Sequence, residues 1–65
     1  MKIGNTLREL RLQKGLSQDQ VALVLMISRQ AYSRYENNER ELSLDALCKL
    51  ADFFGKTTDY ILGRK

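Results

Sequence analysis

An all-α fold is what this sequence predicts, a compact domain of five short helices, and three observations carry the prediction. Helix breakers are few, with no proline and only four glycines in 65 residues. One six-residue pattern occurs three times: Leu16-Ser-Gln-Asp-Gln-Val21, Ile27-Ser-Arg-Gln-Ala-Tyr32 and Leu42-Ser-Leu-Asp-Ala-Leu47. In each, a serine stands where a helix N-cap belongs, with apolar residues at the two positions of a hydrophobic staple. Finally, Gly15, Gly55 and Gly63 follow the apolar-periodic stretches and supply the left-handed residue that ends a helix at low cost.

Taken in order, the first helix is expected over about residues 3–14. Leu7 and Leu10 form its apolar pair, Ile3 extends the stripe, and Gly15 closes it. Arg8, Arg11 and Lys14 share another stripe, which either touches an anionic partner or simply solvates the outer face. The second helix opens at Ser17, with Gln20 placed for a capping box and Asp19 in the first turn, and runs over about 18–25. Val21 to Ile27 is a continuous apolar run that by periodicity alone could be a buried strand. The capping box before it and the capped helix after it favour a helix. The third helix, about 29–36, follows the cap at Ser28. A fourth, about 44–54, follows Ser43 and should turn Leu44, Leu47, Leu50, Ala51 and Phe54 inward, with Cys48 as a small packing residue. The last, 58–62, follows Thr57, and its Tyr60, Ile61 and Leu62 close the core.

Composition narrows the function. A chain this short forms one domain, residues 1–65, with a thin core. One cysteine allows no internal disulfide, and without histidine no Cys/His zinc site can form, so neither metal nor cofactor is expected. No histidine base, recognisable nucleophile or glycine-rich phosphate loop marks an enzyme. Residues 1–12 resemble no export signal, and the longest apolar run is seven residues against roughly 20 needed to span a bilayer, so a cytoplasmic protein is expected. The charge is asymmetric. Residues 1–35 carry six basic groups against two acids, and residues 36–65 five against six. A basic half of this kind suits a polyanionic partner and is equally common on solvated surfaces.

Between the caps at 17 and 28 there is room for a short helix and a three- or four-residue turn. Val21, Ala22 and Leu25 then face the core, with Ala22 small enough for a steep helix crossing, and Tyr32 and Tyr35 face inward from the next helix. That leaves Ser28, Arg29, Gln30, Ser33 and Arg34 outward. Arginine bonds bidentately to guanine O6 and N7, glutamine to adenine N6 and N7, and serine to base edges or phosphate. The two helix N-termini offer N–H groups to phosphate.

The stretch from Leu16-Ser-Gln-Asp-Gln-Val-Ala through Ile27-Ser-Arg-Gln-Ala-Tyr-Ser-Arg-Tyr-Glu-Asn-Asn38 resembles the helix-turn-helix of the Cro and phage-repressor class, the XRE family. Arg8-Glu-Leu-Arg11 before it, and Ser43 to Gly55 and Thr58 to Gly63 after it, match as well, so the resemblance covers essentially the whole chain. It implies a lambda-repressor-like five-helix domain and a repressor-like transcriptional regulator that binds double-stranded operator DNA, palindromic and read by a homodimer. Base contacts are implied for Ser28, Arg29, Gln30, Ser33 and Arg34, and phosphate contacts for Ser17, Gln18, Asn37, Asn38 and Arg40.

Two features depart from the family pattern. Met26 stands in the turn where glycine is usual, so either a left-handed methionine is tolerated or the turn is built differently. Leu23 and Val24 occupy positions that are normally polar. With Met26 they form either an exposed apolar patch or a wider core stripe. The patch would suit the competing reading, a protein-interaction module (antitoxin-like or regulator-binding) of the same fold.

Overall fold

A computed structural model describes residues 3–64, and among these five helices make up the regular structure: α1 Gly4–Gln13, α2 Gln18–Leu25, α3 Arg29–Glu36, α4 Leu44–Phe54 and α5 Thr58–Leu62. All regular structure among the described residues is helical, and no helix is long and apolar enough to cross a membrane. The apolar run after Gln20 is helical as far as Leu25.

Four helices begin as their side chains dictate. Ser17, Ser28, Ser43 and Thr57 are extended N-cap residues whose hydroxyls accept from the backbone N–H of Gln20, Ala31, Ala46 and Tyr60 at 3.0–3.2 Å. At Ser17 the box is complete, because Gln20 Oε1 also accepts from Ser17 N at 2.8 Å. The apolar residues flanking the serine caps are buried or half-buried, as staples require.

All five helices end in one way, with a left-handed residue whose N–H and that of its successor bond back over the last turn. Leu16 N to Arg11 O (3.1 Å), Lys56 N to Ala51 O (3.0 Å) and Arg64 N to Asp59 O (2.8 Å) close α1, α4 and α5 around Gly15, Gly55 and Gly63. Glu39 N to Arg34 O (2.8 Å) closes α3 around Asn38, at φ 60°. Ile27 N to Ala22 O (3.1 Å) closes α2 around Met26, at φ 56° and ψ 41°. The turn therefore keeps the geometry glycine would give and tolerates methionine in it. Met26 is 87% exposed, so no packing compensates its strain. Met26→Gly is expected to raise the urea-unfolding free energy by up to about 1 kcal/mol, the relieved strain less the added freedom of the unfolded chain. An unchanged or lower midpoint would contradict this.

The core joins all five helices through Leu7, Leu10, Val21, Ala22, Tyr32, Tyr35, Leu50, Ala51, Phe54 and Ile61, with smaller shares from Leu25, Ala46 and Leu47. Three inward assignments fail. Leu44 is 76% exposed, because it opens α4 beyond the edge of the core and Ala46 takes the inward place. Cys48, one turn on from Leu44, shares that outward stripe and is exposed. Tyr60 lies half out, with Lys56 Nζ 4.8 Å from its ring centroid, while Ile61 alone of α5 is fully buried.

α1 begins differently. Its N-cap, Ile3, has no side chain to offer, and the N–H of Gly4 donates instead to Asn38 Oδ1 at 2.9 Å, across 34 residues of sequence. Gly4 is buried against the end of α3, where a side chain would run into the Glu36 carbonyl.

Candidate nucleic-acid interface

α3 is fixed by its inner face. Tyr32 and Tyr35 are buried, edge to face at 6.5 Å, and α2 packs against the same side. Helical geometry then sends Ser28, Arg29, Gln30 and Arg34 outward, all exposed, with Ser33 half-buried at the margin. The Ser28 oxygen accepts the Ala31 N–H at 3.1 Å, so its hydroxyl hydrogen is what it has to donate. Arg29 Nε lies 3.9 Å from Asp19 Oδ1 on α2. The residues expected to read bases thus share one exposed surface.

Those expected at phosphates do not form a uniform set. Ser17 is exposed and caps α2. Gln18 is half-buried, and its Nε2 donates to Glu36 Oε1 at 3.1 Å. Asn37 is exposed at the end of α3. Its Oδ1 accepts from Arg8 Nη2 at 3.2 Å, and its Nδ2 donates weakly to Ser33 Oγ and Glu39 Oε1, both at 3.4 Å. Asn38 spends its carboxamide oxygen on Gly4, so a phosphate contact from its side chain would come from Nδ2. Arg40 lies with its guanidinium carbon 6.0 Å from the Tyr35 ring centroid. It lines a cavity of about 160 Å³ with Ile3, Leu42, Leu47 and Leu62, whose walls include none of the reading side chains.

Beneath this surface is a group that sequence reasoning missed. Glu36, last residue of α3, is 1% exposed. Its Oε2 accepts from Arg11 Nε at 2.7 Å, and its Oε1 from Arg11 Nη2 (3.1 Å), Gln18 Nε2 (3.1 Å) and Arg8 Nε (3.4 Å). One carboxylate therefore ties α1, α2 and α3 together. Arg11 also donates to the Leu16 carbonyl at 3.0 Å, and only 12% of its side chain is exposed. The stripe Arg8–Arg11–Lys14 is thus neither a free solvated face nor a free phosphate clamp. Two of its members face Glu36, and Lys14 Nζ lies 5.8 Å from the Phe53 ring. The signal was present: Glu36 lies four residues beyond the inward Tyr32, on the buried stripe of α3.

Burial alone would raise the Glu36 carboxyl above its usual range. Hydrogen bonding from Arg11, the neighbouring Tyr32 hydroxyl, the Gln18 amide and the charge of Arg11 together outweigh it, so the group is held below its ordinary value. The bond to Glu36 outweighs burial at Arg11 also and holds that guanidinium charged. Burial, with the neighbouring Glu36 charge, pushes the Tyr32 hydroxyl far up. That hydroxyl has no hydrogen bond of ordinary length and angle and stays neutral.

A short helix with a polar outer face, braced across a tight turn by a second short helix, defines a helix-turn-helix protein. The chain belongs to that family, in its XRE branch: the family model described as Helix-turn-helix matches residues 7–61. It is 44% identical over 59 residues to the HTH-type transcriptional regulator AnsR of Bacillus subtilis (strain 168), covering 91% of this chain and 51% of that protein. Among solved structures, the restriction-modification controller protein C.AhdI from Aeromonas hydrophila is 35% identical with a TM-score of 0.82, over 92% of this chain and 87% of that one. The P22 c2 repressor, solved in complex with synthetic operator 9T, shares the fold at a TM-score of 0.86 and 23% identity, over 94% of this chain and 92% of that one. The lambda-repressor-like all-α fold is thereby established. The chain spans about half the length of the curated relatives it matches.

Proposed function

We propose that residues 1–65 form one DNA-binding domain of a sequence-specific transcriptional regulator, repressor-like in action, with α3 in the major groove of double-stranded operator DNA. The observation that carries this is the exposed row Ser28, Arg29, Gln30 and Arg34 on a helix whose other side is anchored in the core. The names of the relatives, a transcriptional regulator and a restriction-modification controller, support it. Arg29, Gln30 and Arg34, with Ser28 and Ser33, read base edges. Ser17, Gln18 and Asn37, with Asn38 through Nδ2 and Arg40 at the loop, meet phosphates and supply affinity and its salt dependence. Two copies on a palindrome would place their α3 helices about one helical turn, roughly 34–36 Å, apart. Such a regulator works in the cytoplasm, where its operator is.

Selection of bound sites from a random duplex library tests this reading, with a palindromic consensus expected. Arg34→Ala should then lower discrimination at one base position per half-site by about 1–3 kcal/mol, without unfolding the domain. An equal loss on selected and random duplexes would contradict a base-reading role.

A second reading has its own observation, since Leu23 and Met26 are 75% and 87% exposed and Val24 is half-buried. These side chains would serve a protein-interaction module. Titration with random duplex at low salt separates the two readings, because only the DNA-binding domain should show salt-sensitive binding.

A further inference from the structure

Asp19 brings a negative charge to the surface that carries the proposed DNA contacts. It stands beside Gln18 in the first turn of α2, and its Oδ1 lies 3.9 Å from Nε of Arg29, the first residue of α3. The side chains are 77% and 50% exposed, and an exposed pair of this kind contributes little to stability. Its first-turn position favours the dipole of α2, but the start of that helix does not rest on it, since Ser17 and Gln20 complete the capping box between themselves. Against a polyanion the carboxylate can only weaken attraction that depends on charge alone.

The geometry gives it a use. The carboxylate comes nearest Arg29 at Nε, an ion pair beyond hydrogen-bond length, and among the described residues no hydrogen bond engages the terminal Nη1 and Nη2. That pair matches the O6 and N7 of guanine. An arginine without this neighbour is free to swing toward the nearest phosphate, where it gains affinity and reads nothing. A carboxylate beside it repels that phosphate and offers the guanidinium a competing partner. Discrimination of this sort works by penalising the wrong complex as well as favouring the right one.

We infer that Asp19 is a specificity-determining positioning residue, whose charge beside the Nε edge of Arg29 biases the terminal fork toward a guanine and penalises phosphate-only binding. The inference rests on the DNA-binding reading given above. It assigns to α2 a part in sequence choice as well as in bracing α3.

The test uses the full chain, its Asp19→Asn and Asp19→Ala variants, Arg29→Ala, and the Asp19→Asn/Arg29→Ala double variant. Each is put through site selection from a random duplex library and titrated against the selected site and a random duplex over a salt series. Circular dichroism and thermal melting report the fold. Asp19→Asn and Asp19→Ala should bind random duplex more tightly. Their ratio of specific to random affinity should fall by about threefold to tenfold, part of the discrimination one bidentate contact supplies. The base preference should flatten at the position that Arg29→Ala also flattens, and Asp19→Asn should flatten it no further in the Arg29→Ala background. A variant that tightens both duplexes by the same factor, with its base profile unchanged, would overturn the inference, as would flattening at a position Arg29→Ala leaves intact. Those results leave the DNA-binding reading standing. A parent chain with no salt-sensitive binding to any duplex would overturn both.

Discussion

Glu36→Ala is expected to cost about 3–5 kcal/mol, the usual consequence of removing one member of a buried ion pair. A domain of this length has a total stability of roughly 3–10 kcal/mol, so much of the variant should be unfolded near room temperature. The loss is large because Glu36 has several partners. Its removal strands the Arg11 guanidinium with 12% of the side chain exposed and releases the bonds from Arg8 and Gln18. Urea unfolding followed by far-ultraviolet circular dichroism checks this. A loss under about 1 kcal/mol, the scale of an ordinary surface ion pair, would show that Glu36 is not the junction its contacts describe.

The same carboxylate sets a pH dependence. Its folded value lies below the ordinary 4.5, so the folded chain prefers the ionised form. The stabilisation is fully present well above the ordinary value and drains away from about pH 5 downward as the pH falls through the lower folded value. Between about pH 5 and about pH 3 the parent should therefore lose more stability than Glu36→Gln, which has no carboxylate to protonate there. The other carboxylates are common to both chains and cancel in the difference. Parallel curves would rule out the depressed value.

The second large effect is expected at Gly4. Gly4→Ala should destabilise by about 3 kcal/mol, at the upper end of ordinary overpacking costs. A methyl group there meets the Glu36 carbonyl and comes within 2.9 Å of the Tyr35 carbonyl oxygen, both backbone atoms that no rotamer change can move. To admit it, α1 must back away from the end of α3. That movement also stretches the Gly4–Asn38 bond and the Arg8 and Arg11 contacts to Glu36. At an exposed helix position the same change would be neutral or stabilising. A stabilised Gly4→Ala chain would mean that α1 is not seated as closely as described.

Much of the fold was legible in the sequence because helix ends are local. A cap hydroxyl and the N–H it accepts lie three residues apart, and a closing turn spans six, so both are written in short stretches. Ser17, Ser28, Ser43 and Thr57 start helices, and Gly15, Gly55 and Gly63 end them, for reasons contained in their neighbours. These boundaries fix the rotation of α3, and with it the outward row Ser28, Arg29, Gln30 and Arg34. Inward assignments held where the stripe was in register with the core and failed at Leu44, Cys48 and Tyr60. There the pattern names a helical face, but the extent of the core decides which of its residues are covered.

What only the tertiary structure decided involves partners far apart in the chain. Arg11 and Glu36 are 25 residues apart, Gln18 and Glu36 are 18, and Gly4 and Asn38 are 34. In the sequence, Arg8 and Arg11 belong to a basic stripe, Glu36 is one acid among eight, and Gly4 is a glycine without a turn. Packing α1 across the ends of α2 and α3 turns the stripe into a buried pairing and makes the glycine necessary. The physical reason is desolvation. A charge in water needs no particular partner, whereas a carboxylate 1% exposed must be matched, and only the arrangement of the helices supplies the match.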